Sequence, residues 1–141
     1  MRKILVPVDG SSNADRAVQH VISLARTNPA REIVLLNVQA PVDAWEARSF
    51  LKTSEIEALQ ESRGGDALAS ARALLDAAQV RYTPLVLLGP VPETIARAAL
   101  EQGCDGIVMG TRGLGAVAGV LLGSVTSRLI HLADVPVTLV K

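Results

Sequence analysis

Aromatic residues are nearly missing from the chain: its 141 residues include one Trp, one Tyr and one Phe. The core must therefore be aliphatic, drawn from the Val, Leu, Ile and Ala of a composition that is 49% hydrophobic. Cys104 is the only cysteine, which excludes an internal disulfide and suits a reducing compartment. Net charge is lacking as well. Lys and Arg number 14 and so do Asp and Glu, and no Lys/Arg-rich run supplies the positive surface that nucleic acid requires. No apolar stretch reaches the ~20 residues that span a bilayer. The opening MRKILVPVDG has two basic residues and an apolar run, but Pro7, Asp9 and Gly10 interrupt that run before it could serve as a signal peptide. These absences lead us to expect a soluble, cytoplasmic protein with no nucleic-acid and no membrane partner. The length fits one domain.

What is present is an alternation of short apolar runs and helical patterns. KILVPVD (3–9) reads as a strand that ends in the turn and cap residues Asp-Gly-Ser-Ser. Ala14, Ala17, Val18, Val21, Ile22 and Ala25 follow at helical spacing, with Ser12 and Asp15 placed as a capping box. EIVLLNV (32–38) is a second strand, and residues 39–53, with Pro41 and Trp45, read as a long loop or lid. Ser54 and Glu57 suggest another capping box. Leu68, Ala71, Leu75 and Ala78 continue that helix to about Gln79, and Gly64-Gly65 should kink or divide it. YTPLVLL (82–88) is the third strand, a helix spans roughly 92–102 with Gly103 just past its end, and GIVMG (106–110) is the fourth strand. A helix from Ser124 to about Ala133 and the strand VPVTLVK (135–141) close the chain. Continuously apolar strands separated by helices specify a parallel sheet covered on both faces, hence an α/β doubly wound domain. Ligands of such sheets sit beyond the carboxyl ends of the strands.

The densest signal is GTRGLGAVAGVLLGSVT (110–126), in which five glycines occupy the first 14 positions. Each glycine in an element interior costs roughly 0.5–1 kcal/mol relative to Ala. At the end of a strand, however, glycines let a ligand approach the main chain, and successive N–H groups can form an anion-binding concavity. Gly123-Ser124 opens the last helix, whose first amides lack intrahelical partners and whose dipole favours negative charge. A polyphosphate bridging loop and helix end is the physical reading. Ser124 and Thr126 would add hydroxyls and Arg112 a cation. The competing reading is a tight connection and nothing more. The loop is not a Walker loop, because no Lys separates Gly123 from Ser124. Nor is it a Rossmann fingerprint: Gly113, Gly115 and Gly119 miss its spacing by one and follow the fourth strand rather than the first.

Gly110, Gly113, Gly123 and Ser124 fit the pattern G-x2-G-x9-G-S/T. With ILVPVDGS near the start and DVPVTLV at the end, the chain resembles the ATP-binding branch of the universal stress protein family over essentially its whole length. The resemblance implies a five-stranded parallel sheet in the order 3-2-1-4-5 with helices on both faces, one domain over 1–141, and ATP, with or without Mg²⁺, as ligand. It puts Pro7, Val8 and Asp9 beside the adenosine and the Val38 backbone at the adenine edge. Met109 and Gly110 fall under the ribose, and Gly113, Gly123, Ser124, Val125 and Thr126 form the phosphate cradle. Arg112 stands where relatives are often polar or basic. Read without the resemblance, Asp9 is equally a turn residue, Val38 an ordinary strand end and Arg112 a solvated loop arginine.

No general base or carboxylate pair accompanies the loop, so an ATP-binding regulatory or stress-response module is expected, with at most weak hydrolysis and no catalytic residues. Two alternatives are a slow ATPase or nucleotidyl-transfer enzyme and a dimeric interaction protein that binds no nucleotide. A phosphoacceptor signalling domain shares the element order, but the third strand ends LVLLGPVP, without the acceptor Asp. His20 and His131 fall on separate predicted helices, and no metal site is expected from them. Cys104 reads as a small buried hydrophobe. Trp45 is a candidate cover for the nucleotide or a packing residue of its loop. The final strand is apolar and belongs at a sheet edge in the 3-2-1-4-5 order, where relatives dimerise, so a homodimer through 135–141 is expected.

Overall fold

In the computed structural model, residues 1–41, 53–113 and 121–141 are described. Within them the elements alternate as β1 (Lys3–Pro7), α1 (Ser12–Thr27), β2 (Glu32–Gln39), α2 (Thr53–Ala77), β3 (Thr83–Leu88), α3 (Val91–Glu101), β4 (Gly106–Gly110), α4 (Ser124–Leu132) and β5 (Val137–Val140). The strands form one parallel sheet in the order β3-β2-β1-β4-β5. Its register runs from Lys3↔Glu32 to Pro7↔Leu36 between β1 and β2, and from Ile107↔Val137 to Gly110↔Val140 between β4 and β5. The fold expected from the sequence is the fold observed.

Alternation along each strand explains the unbroken apolar runs. Ile4, Val6, Val8, Ile33, Leu35 and Val108 pack with α1 and α2 on one face. Leu5, Val34, Leu36, Ile107 and Met109 pack with α3 and α4 on the other. A strand buried on both faces has no solvent side for polar residues. Each large aliphatic side chain taken from water contributes roughly 1.5–3 kcal/mol, so two aliphatic layers replace the missing aromatics.

Helix ends follow local chemistry, with one shift from expectation. Ser11, not Ser12, caps α1: its hydroxyl accepts the Ala14 N–H at 3.1 Å. Asp9 moves the cap forward. Its Oδ1 accepts the Ser11 N–H at 3.0 Å while Gly10 turns the chain at φ +87°. Asp15, read as the box partner, instead accepts a hydrogen bond from Ser70 on α2. Gly103 is the left-handed residue after α3, as expected, with Cys104 N–H donating to Ala99 and Gly103 N–H to Leu100. Gln79 fills the corresponding position after α2 at φ 58°.

The helix α2 is not divided at Gly64-Gly65; it runs unbroken from Thr53 to Ala77, with Ser54 inside its first turn. A Cβ on Gly64 would lie 2.4 Å from Val86 Cγ1 and 3.3 Å from Asn37 Oδ1. Gly64 is thus where the helix backbone approaches β2 and β3, a packing residue rather than a break. The lid read over 39–53 and Trp45 lie largely outside the described residues, as do Gly115 and Gly119 of the glycine-rich loop.

Candidate functional site

Strand order reverses around β1, which has β2 on one side and β4 on the other. The carboxyl ends of these three strands bring together the residues that the sequence singled out. Pro7 ends β1, and Val8 continues it by one hydrogen bond, donating to Leu36 O at 2.8 Å. The half-buried Asp9 is both turn residue and site wall. Beyond its bond to Ser11, its Oδ2 lies where a Cβ on Gly113 would be, at 2.2 Å. Asp9 and the start of the glycine-rich loop are therefore in direct apposition.

Val38 ends β2 on the same side. Leu36 directs its carbonyl toward β1, so strand alternation turns both the N–H and the C=O of Val38 in that direction as well. The β1–β2 register stops at Pro7↔Leu36, short of a rung from Val38. Asn37 stands at this point. Its Nδ2 donates to Val8 O at 2.8 Å, taking the carbonyl that a continued ladder would offer to Val38, and its Oδ1 accepts from Gln39 Nε2 at 2.7 Å. Only 3% of Asn37 is exposed.

Across the site, β4 runs out through Met109 and Gly110. The Met109 side chain belongs to the core beneath α3 and α4, and its main-chain groups face β5 opposite Leu139. Gly110 is needed internally: a Cβ there would sit 2.3 Å from Asn13 Oδ1. Asn13, buried on α1, accepts the Arg112 N–H at 2.8 Å and donates to Val140 O at 3.1 Å. This one side chain fixes the exit of β4 to the end of β5. Thr111 adds two main-chain bonds, its N–H donating to Val140 O and its C=O accepting from Gly123 N–H at 2.8 Å. The second of these bonds returns the chain to the start of α4.

The α4 N-terminus completes the arrangement. Gly123 is the N-cap residue, in extended conformation and without a capping side chain. The first intrahelical bond runs from Ser127 N–H to Gly123 O, so the amides of Ser124, Val125 and Thr126 precede it and carry the positive end of the helix dipole. The Thr126 hydroxyl is buried and donates to Gly110 O at 3.2 Å. It braces the strand end, and only the Thr126 amide is left to meet a ligand. Ser124 is exposed and its hydroxyl faces no such demand. Asp9, Arg112, Gly113, Gly123 and Ser124 thus gather at one end of the sheet, with Val38 at the neighbouring strand end.

Other features lie elsewhere. A cavity of ≈ 520 Å³ opens at the amino ends of β1–β3, among Lys3, Arg31, Glu32 and Arg81. A groove of ≈ 360 Å³ separates the C-terminal ends of α3 and α4. Cys104 lines it, and burial pushes its thiol above the ordinary range, which suits a packing residue. At the amino end of β4, Asp105 accepts the N–H groups of Arg2 and Lys3, and these bonds hold its carboxyl below the usual range. Among the described residues no helix is long and apolar enough to cross a membrane. Sequence reasoning missed Asn13 and Asn37. Asn37 was visible as a lone polar residue inside an apolar strand. Asn13 gave no signal, because its partners lie 99 and 127 positions away.

Comparison with known proteins bears on the family and the fold. The sequence profile of the universal stress protein family matches residues 1–141. A universal stress protein of Thermus aquaticus is 34% identical over 140 residues, covering 99% of this chain and 98% of the relative. Among solved structures, protein MJ0577 of Methanocaldococcus jannaschii superposes with a TM-score of 0.85 at 28% identity, over 99% of this chain and 95% of its own. A family member from Arabidopsis thaliana, solved with AMP bound, shares the fold at TM-score 0.70 and 20% identity, covering 100% of this chain and 92% of its own.

Proposed function

The chain belongs to the universal stress protein family, and from that premise we propose that it is an adenine-nucleotide-binding regulatory module with ATP as its ligand. The observation that carries this reading is the run of three amides, Ser124 to Thr126, ahead of the first bond of α4 and beside the exit of β4. Helix-terminal amides of this kind bind phosphate. The triphosphate lies over Gly113 and Gly123, with Arg112 as its cation and the Ser124 hydroxyl as a further donor. The ribose rests near Asp9 and the main chain of Met109 and Gly110. The base meets the end of β2 at Val38, beside Pro7 and Val8. Were Mg²⁺ to accompany ATP, Asp9 and the Ser124 hydroxyl would be the residues to hold it, and it would offset phosphate charge. AMP in the Arabidopsis relative supports an adenine nucleotide as the ligand class. Among the described residues, Asn13, Asn37 and Thr126 hold strand and loop ends in place, which fits a regulatory site with at most weak hydrolysis.

Extraction and mass identification of the small molecule that co-purifies with the protein, followed by calorimetric titration of the stripped protein with ATP, tests the reading. Saturable binding of ATP supports it. Absence of binding, with the fold intact, overturns it.

We further propose a homodimer through residues 135–141. The strand β5 is an edge of the sheet, and Val137–Val140 are half-buried and, Thr138 aside, apolar. Residues 136 and 140 give their carbonyls to β4, so alternation turns the main-chain groups of Val137 and Leu139 outward, ready to pair with another strand. Sedimentation velocity tests this, a dimer supporting the proposal and a monomer overturning it.

A further inference from the structure

The missing rung between β1 and β2 carries an inference about how the base is chosen, one that rests on the nucleotide-binding reading above. In a parallel ladder the residue opposite Asn37 bonds to both of Asn37's chain neighbours. Val8 makes the first of these bonds, to Leu36 O at 2.8 Å, but its carbonyl receives Asn37 Nδ2 instead of the Val38 N–H. The Asn37 amide is held in the required orientation from two sides. Val8 O can only accept, so the nitrogen of Asn37 must face it, and Gln39 Nε2 donates to the Oδ1 on the other side at 2.7 Å. The absent side chain of Gly64 lets α2 lie close over the same oxygen, where a Cβ would be 3.3 Å away.

We propose that Asn37 is a positioning residue for base recognition: by drawing the Val8 carbonyl to its own Nδ2 it holds the end of β1 where the Val38 rung is not made, and the N–H and C=O of Val38 then serve as a donor–acceptor pair for the edge of a 6-aminopurine. Adenine presents an acceptor at N1 beside a donor at the 6-amino group, which complements such a pair. A 6-oxopurine presents N1–H beside O6, which reverses both and sets donor against donor and acceptor against acceptor. A site that hydrogen-bonds one pattern rejects the other strongly, because mismatched buried groups go unpaired. In this arrangement the selectivity belongs to the main chain of Val38, and a neighbouring side chain that touches no ligand keeps it available.

The test compares the parent with Asn37→Leu, which keeps the approximate shape and removes the donor, and with Asn37→Ser as a second variant should the first fold poorly. ATP and ITP, the latter carrying the 6-oxopurine, are titrated into each, and amide hydrogen exchange at Val38 is followed in the ligand-free proteins. The parent is expected to bind ATP at least tenfold more tightly than ITP and to exchange the Val38 amide rapidly. In the variants the Val38 amide should become protected as the rung to Val8 forms, ATP affinity should fall at least tenfold, and the ATP/ITP ratio should drop to within about threefold of unity. If both affinities fall by the same factor and the ratio survives, Asn37 is merely structural and the proposal fails, although the nucleotide site stands. If the parent binds neither nucleotide, the site reading fails and this inference fails with it.

Discussion

In α2 a Cβ on Gly64 would come within 2.4 Å of Val86, whereas one on the next residue, Gly65, would meet open space. The same contrast recurs after β4. A Cβ on Gly110 would strike Asn13 at 2.3 Å and one on Gly113 would reach Asp9 Oδ2 at 2.2 Å, yet one on Gly123 would find only backbone atoms at 3.4 Å or more. Both stretches read as glycine-rich, but the glycines in each serve different ends. Gly64 and Gly110 are small because the protein fills the space beside them. Gly113 is small because the Asp9 carboxylate lies there. Gly123 has only backbone atoms beside it, at 3.4 Å or more, and it is the one that opens α4. A glycine cluster therefore mixes members that internal packing demands with members that it does not.

Substitution of each glycine sharpens the comparison. Gly110→Ala is expected to have the largest effect on stability, about 3 kcal/mol, because its methyl would displace Asn13 and with it the bonds to Arg112 and Val140. Urea unfolding would show this as a lower midpoint, and a loss below about 1 kcal/mol would contradict the packing role. Gly64→Ala is expected to cost about 2 kcal/mol through its clash with Val86. Its neighbour gives the opposite sign. Gly65→Ala, in an exposed helix interior, should stabilise by roughly 0.5–1 kcal/mol, and thermal melts of the two variants side by side would separate packing from propensity.

The smallest effect concerns pH at the far end of the sheet. The Asp105 carboxyl titrates below its ordinary range because the Arg2 and Lys3 N–H groups bind its charged form. A depressed folded value means stability that is present above the ordinary carboxylate pKa and is lost as pH falls through the folded one. Asp105→Asn should therefore be slightly less stable than the parent at neutral pH, with the gap closing below about pH 4. A gap unchanged from pH 7 to pH 3 would rule out the linkage.

Much of this was legible in the sequence, for reasons that can be named. Strand and helix order followed from runs buried on both faces, such as Ile4 to Val8, and from the spacing of Ala14, Ala17, Val18 and Val21. The positions of Gly103 and Gly123 at helix boundaries were equally plain, because caps are local chemistry. Tertiary override defeated local reading elsewhere. The Gly64-Gly65 pair looked like a break, and the close approach of α2 to Val86 is a property of the packed sheet that no helix pattern reveals. Ser11 displaced Ser12 as cap because the Asp9 side chain closes the preceding turn first. In the site, the glycine spacing marked the loop. The two asparagines that hold its walls act through main-chain atoms of distant strands, Asn13 through Val140 and Asn37 through Val8.

The central claim, that the bare amides at the start of α4 hold a nucleotide's phosphates, is tested most directly by the melting temperature of the parent and of Gly123→Val with and without ATP. Saturating ATP at about 100 times its Kd should stabilise the parent by roughly 2.7 kcal/mol. The variant should melt close to the parent without ligand, since its new Cβ meets only ordinary contacts, and should gain nothing from ATP. An equal rise in both proteins would contradict the account.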